Sequence, residues 1–284
     1  MFDQVMQGII DTAQEASKQQ PGHEHDYIGP DGLLVCGCCN APRQMVLDVP
    51  LIGQRVVPIM CQCDIERRER EEADKRAREE MERIRQMRKI GITSADYLRM
   101  TFEADDGSDP QMTALASRYV AKRKEMQSEN IGLLFHGNVG GGKTFWAAAI
   151  ANAMIDNGCS AMITTVPQLI TAMGQDFERD KAAILDRVAN VRFLVLDDIG
   201  FERTSSYGHE KMFEIIDARY RARRPLIVTT NLTMDELTNP PQMEYKRVFD
   251  RIVEMCQPVY VSGEGRRKAI AREKSSRARE LLGL

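Results

Sequence analysis

Eight residues constrain this chain more than any others: Gly137, Asn138, Val139, Gly140, Gly141, Gly142, Lys143 and Thr144. They read G-x-x-x-x-G-K-T, a loop whose glycines let successive backbone N–H groups turn toward phosphate. Such a loop works between a strand and a helix, and its flanks supply both. Residues 132–136 form an apolar run of strand length. Residues 145–155 are helix-prone and apolar on every side, and the N-terminus of that helix adds partial positive charge at the loop. Lys143 is placed to reach the β- and γ-phosphates, and the Thr144 hydroxyl to ligate Mg²⁺. The implied ligand is ATP, with ADP as its product.

From about residue 111 onward helical and extended patterns alternate. A helix is expected near 111–127, a strand over 160–166, a helix opening at Pro167, and a buried strand over 191–196. A helix over 209–223, a strand over 225–230, a helix over 243–255, a short extended segment at 258–261 and a charged terminal helix follow. Alternation of this kind predicts an α/β fold, a parallel sheet flanked by helices. Upstream, residues 64–90 are dominated by Arg, Lys and Glu, with acid-first pairs four apart such as Glu72–Arg76. That spacing predicts a solvated helix with a thin stripe at Ala73, Ala77, Met81, Ile84 and Met87. Three zones result: an N-terminal domain over 1–63, a charged helical linker over 64–100 and a nucleotide-binding domain over 101–284.

The chain has 284 residues and a formal net charge of −3, so any nucleic-acid contact must use local patches. No apolar run has the length of a membrane span, and the first residues lack the basic start of a signal peptide. A cytoplasmic protein with no membrane partner is expected.

The second half of the site follows Val191–Leu196. That hydrophobic run ends in Asp197 and Asp198, at the carboxyl edge where open α/β sheets bind ligands. Asp197 is the candidate Mg²⁺ ligand, partly through water, and Asp198 the group that polarises the attacking water. Asn231, at the end of the 226–230 strand, is placed to orient that water. Arg247 and Arg251 lie on a predicted helix after the core strands, a position that suits either a reach to a neighbouring subunit's γ-phosphate or plain surface charge. Arg266, Arg267 and Lys268 begin the last helix, where one of the two arginines suits either a contact with the phosphates of its own subunit or plain surface charge.

Taken together, residues 130–144, Leu196 to Glu202, Thr229 to Leu232 and Lys246 to Arg251 resemble the AAA+ ATPases, specifically the DnaC/DnaI-type replicative helicase loaders. The likeness covers roughly residues 90–284, and the string Asp197-Asp198-Ile199-Gly200-x-Glu202 is its most specific part. The resemblance makes Asn231 the sensor 1 residue, Arg247 the arginine finger and Arg267 the sensor 2 residue, with Arg251 and Arg266 as the alternatives. The chain departs from many AAA+ proteins in carrying Asp198 where glutamate is usual, which puts the hydrolysis rate in doubt.

Five of the seven cysteines fall between Cys36 and Cys63. In a reducing compartment such a cluster argues for metal rather than disulfides. Cys36, Cys39, Cys61 and Cys63 are the expected tetrahedral Zn²⁺ ligands, with Cys38 spare and His23 and His25 as outside candidates. The loader resemblance implies that this zinc domain meets the helicase. Cys159 and Cys256 are expected as buried apolar residues.

The resemblance implies an ATPase that loads a hexameric replicative helicase onto single-stranded DNA, self-assembling through the trans arginine, and the departure at Asp198 leaves weak turnover open. The alternatives are a transposition helper ATPase on duplex DNA and a non-hydrolysing ATP-binding adaptor.

Overall fold

The computed structural model describes residues 25–51, 53–173, 177–200, 206–262 and 266–284, with the side chains of 177–180, 206 and 266–273 outside the description. The chain divides into two units, Met1–Glu80 and Met81–Leu284.

The first unit is built on short antiparallel pairs. β1 (Tyr27–Ile28) pairs with β2 (Leu34–Val35), and β3 (Gln44–Val49) with β4 (Gly53–Pro58). Among its described residues the buried side chains are Cys36, Cys61, Arg43 and Asp64. A core of thiols and ion pairs, without large apolar side chains, calls for a staple. Sequence patterning missed these strands because β1 and β2 have two residues each, and the six-residue β3 and β4 are mostly exposed and show no buried–exposed alternation.

The charged run is one helix, α1 (Gln62–Gly91), which crosses the boundary between the units. Glu72 and Arg76 close at 3.4 Å, and Arg68–Glu72 at 3.7 Å, between exposed partners that add only tenths of a kcal/mol each, about 0.3–0.5. The expected stripe is uneven: Met81 is exposed, whereas Ile84 and Met87 pack on the core of the second unit.

In the second unit α2 (Ala95–Arg99) precedes α3 (Pro110–Ala121) and α4 (Arg123–Ser128). Asp109 caps α3, accepting from Met112 N, with Pro110 in the first turn. The single helix expected over 111–127 is therefore two, broken at Lys122. Five strands follow: β5 (Gly132–His136), β6 (Ala161–Thr164), β7 (Phe193–Ile199), β8 (Leu226–Thr230) and β9 (Cys256–Tyr260). They form one parallel sheet in the order β6-β7-β8-β5-β9. β8 thus lies between the strand that feeds the glycine loop and the strand that carries the acids.

Alternate strand residues serve opposite faces. Leu133, Phe135, Val195 and Ile227 pack with α3 and with α5 (Lys143–Asp156). Leu134, Leu194, Leu196 and Val228 pack on the other face against α6 (Val166–Ala172), α7 (Phe177–Asn190), α8 (Ser206–Arg221), α9 (Met234–Thr238) and α10 (Met243–Met255). α5 is apolar all round because α3 and residues 97–102 cover the side that the sheet does not. α7, which the alternation reading passed over, presents Ile184, Leu185 and Val188 to this second layer. Among the described residues, α11 (Arg266–Leu282) is the helix that follows the last strand.

Arg219 on α8 is fully buried and donates to the carbonyls of Val188, Val191, Arg192 and Pro225. Burial lowers its pKa to about 9. It ties the end of α7 to the head of β8, and so fixes the approach to two of the strands that bear the site.

Candidate functional site

The glycine loop joins β5 to α5 as the motif requires. Gly137, Gly140 and Gly142 all have positive φ, at 124°, 86° and 95°, a region costly for residues with a β-carbon. Gly142 caps α5 in the left-handed conformation, so Lys143 and Thr144 begin the helix. The Lys143 ammonium donates to the carbonyls of Gly137 (2.8 Å) and Asn138 (2.7 Å), across the loop.

β7 carries the acids further along the strand than the sequence pattern suggested, because pairing resumes at Ile199 after a register shift. Asp198 sits in that bulge with φ 57°, a left-handed conformation that aspartate tolerates better than most residues. The bulge separates the two carboxylates: Asp197 is buried and Asp198 is exposed. Thr229 on β8 secures both. Its hydroxyl donates to Asp197 Oδ1 (2.6 Å) and accepts from Asp198 N (2.8 Å). Asn231, just past β8, donates from Nδ2 to Asp198 Oδ1 at 3.1 Å.

Thr144 and Asp197 meet, with the threonine hydroxyl donating to Oδ1 at 2.9 Å. Tyr97 donates to Oδ2, also at 2.9 Å. Among the described residues, the hydrogen-bond partners of this buried carboxylate are three neutral hydroxyls, so its charge is left for a cation to balance. The donor set of a hydroxyl and a carboxylate suits Mg²⁺. Burial and the Asp197 charge push the Tyr97 phenol above its ordinary range, so it remains a donor.

These groups line a cavity of about 520 Å³, together with Ser94, Asp96 and Met100 from the segment before α3. Tyr97 and Asn152 are the residues that sequence reading missed. Asn152, in the middle of α5, donates to the carbonyls of Tyr97 (2.8 Å) and Met100 (2.9 Å). A lone amide inside an otherwise apolar helix was the available signal for Asn152. Nothing in the local pattern marked Tyr97.

The arginines separate. Arg251 pairs with Asp217 at 2.6 Å and lies over the Phe213 and Tyr220 rings. Arg247, one turn earlier on α10, is exposed. The side chains of Arg266 and Arg267 lie outside the described residues. Lys181 donates to Glu214 at 2.8 Å.

In the first unit the Sγ atoms of Cys36, Cys39, Cys61 and Cys63 lie within 4.8 Å of one another, while Cys38 is exposed. The Cys36–Cys39 turn is closed by Asn40 N donating to Cys36 O at 2.9 Å. A β-carbon at Gly37 would stand 1.9 Å from the His25 carbonyl oxygen, so the turn admits only glycine there. Arg43 links Asp26 to Asp64, Asp26 accepts from Gly37 N, and Asp64 accepts from Cys61 Sγ. One buried guanidinium thereby ties both cysteine pairs. Thiols this close resist ionising together: burial pushes Cys61 up to about 11, and the hydrogen bond to Cys39 pushes Cys63 up to about 12. Backbone N–H donation from Cys63 and Ala41 lowers Cys39 to about 6. A divalent cation resolves that conflict, so four thiols in this arrangement fit zinc. His25 is exposed and outside the cluster, and His23 lies outside the described residues. Cys159 and Cys256 are buried in the second unit.

No helix among the described residues is long and apolar enough to cross a membrane. A family model described as IstB-like ATP binding protein matches residues 65–275. The replicative helicase loader DnaC of Escherichia coli K12 is 34% identical over 147 residues, 50% of this chain and 58% of that one. The replicative helicase loader DnaI of Bacillus subtilis 168 is 27% identical over 206 residues, 68% of this chain and 66% of that one. The chain therefore spans less than two thirds of either relative. A crystal structure of DnaI superposes with a TM-score of 0.50 at 27% identity, covering 61% of this chain and 93% of that one. A crystal structure of the DnaC helicase loader gives 0.51 at 24% identity, covering 60% and 100%, a likeness of fold. With the phosphate loop, the acid-tipped β7 and the interposed β8 in one parallel sheet, this chain belongs to the IstB-like ATP binding protein family, and its second unit is an IstB/DnaC-type AAA+ domain.

Proposed function

We propose that this protein is an ATP-dependent loader that places a hexameric replicative helicase on single-stranded DNA. The observation that carries the ATPase reading is the meeting of Thr144 and Asp197 at 2.9 Å beside the Asn231–Asp198 pair at 3.1 Å. The loader reading is supported by the relatives named as helicase loaders.

In this reading the loop N–H groups and Lys143 hold the β- and γ-phosphates, and Thr144 and Asp197 hold Mg²⁺. Bound there, the metal would supply charge to the phosphoryl oxygens. Asp198, exposed at the mouth and steadied by Asn231, polarises the attacking water. Arg247 reaches a neighbour's γ-phosphate, and assembly then depends on nucleotide state. The shorter side chain of Asp198, compared with glutamate, favours slow turnover suited to a switch. The four-thiol unit holds zinc and meets the helicase.

The test is ATP turnover with and without single-stranded DNA, alongside complex formation with a hexameric helicase. Stimulation by single strands with a stable helicase complex supports the loader. Stimulation by duplex alone, with no helicase complex, points instead to a transposition helper. Lys143→Ala should abolish nucleotide-dependent DNA retention, and retention unchanged by it removes the central claim.

A further inference from the structure

We propose that Tyr97 is a positioning residue of the ATPase centre, orienting the Asp197 carboxylate through Oδ2. The inference rests on Asp197 being the Mg²⁺-binding acid. Three observations support it. First, the donors on Asp197 are divided between its oxygens. The Thr144 and Thr229 hydroxyls lie at Oδ1, at 2.9 and 2.6 Å, and the Tyr97 phenol at Oδ2, at 2.9 Å. A carboxylate fixed at one oxygen can still turn about that contact, whereas a donor on the second oxygen sets its plane.

Second, Tyr97 is itself held. Asn152 is buried at 1% exposure, and its amide donates to the Tyr97 and Met100 carbonyls. The α2 segment is thereby tied to α5, the helix whose first turn carries Lys143 and Thr144. α5 thus presents Thr144 to one carboxylate oxygen directly and Tyr97 to the other through Asn152. Third, Tyr97, Met100 and Phe145 all line the cavity. An apolar wall beside the carboxylate lowers the local dielectric and strengthens the hydrogen bonds made there. Tyr97 acts through Asp197 and needs no contact with phosphate.

The test uses the full chain carrying Tyr97→Phe, which keeps the ring and removes the hydroxyl. Binding of a fluorescent non-hydrolysable ATP analogue is measured in Mg²⁺ and in EDTA, and turnover is titrated with Mg²⁺. Affinity in EDTA should stay within about twofold of wild type, while the affinity gained from Mg²⁺ falls about tenfold, the scale of one hydrogen bond to a charged group. The Mg²⁺ concentration for half-maximal turnover should rise by a similar factor. Asn152→Leu, which frees the Tyr97 carbonyl, should move the same two readouts in the same direction.

Metal dependence unchanged in Tyr97→Phe overturns the proposal. So does an equal loss in EDTA and Mg²⁺, which would make Tyr97 a wall for the nucleotide and nothing more. Wild-type protein that binds the analogue more tightly with Mg²⁺ but never turns ATP over removes the hydrolytic reading, and leaves Tyr97 to be decided on binding alone. Wild-type protein that gains nothing from Mg²⁺ removes both.

Discussion

Thr229→Val isolates one hydroxyl that serves both acids. The side chain is 2% exposed, and valine has nearly its shape, so the substitution leaves no large cavity. It removes a donor to the Asp197 carboxylate at 2.6 Å and the acceptor of Asp198 N at 2.8 Å. A hydrogen bond to a charged group contributes about 1.5–3 kcal/mol, and an orphaned buried N–H costs about 1–3 kcal/mol. The two losses share one atom and do not add fully, so about 3 kcal/mol is expected. For a unit the size of Met81–Leu284 that corresponds to a fall in Tm of about 6–12 °C. Trp146 is the chain's one tryptophan and is buried in α5, so its fluorescence in a urea titration reports on this unit. Thr229→Ser keeps the hydroxyl and should stay within about 1 kcal/mol of wild type after the loss of one methyl. A Thr229→Val loss below about 1 kcal/mol would refute the reasoning. A Thr229→Ser loss equal to that of Thr229→Val would also refute it, by tracing the effect to methyl packing.

Two further sets of substitutions test the proposed metal centre and the assembly. Purified protein should hold about one zinc per chain. Cys39→Ser should lower that content while Cys38→Ser leaves it unchanged, and equal loss in the two variants would contradict the four-thiol assignment. Arg247→Ala should spare nucleotide binding and remove turnover, and mixing it with Lys143→Ala should restore part of the activity across subunit contacts. No recovery in a mixture shown to assemble would argue against a trans finger.

Much of the site was legible because its chemistry is local in sequence. The loop and its flanking strand and helix are one contiguous stretch, and the acids end a run of consecutive apolar residues. α10 could be read to its ends because its buried residues, Tyr245, Val248, Phe249, Ile252 and Met255, follow helical spacing. What escaped was tertiary. Tyr97 reaches Asp197 across 100 positions of sequence, and no local periodicity encodes that contact. The bulge at Asp198 follows from where β7 resumes its pairing with β8, a property of two strands together. In the first unit the thiol spacing was readable, whereas the Arg43 link between Asp26 and Asp64 joins residues that any one-dimensional reading takes as surface charge.

The charge balance of the cavity bears on the proposed trans role of Arg247. Its described lining carries four carboxylates, Asp96, Asp106, Asp197 and Asp198, against one ammonium, Lys143. A triphosphate brought into that field is favoured by any further positive charge placed near it. Arg251 is committed within its own chain, paired with Asp217 and lying over the Phe213 and Tyr220 rings. Arg247 sits on the same helix, and the face that buries Val248 and Phe249 leaves it exposed. An arginine turned outward on one subunit and an acid-rich nucleotide cavity on another are complementary. In the proposed trans arrangement, stacking two copies so that Arg247 of one approaches the cavity of the next would add positive charge to that cavity. Turnover would then require assembly, and assembly would sense whether a γ-phosphate is present.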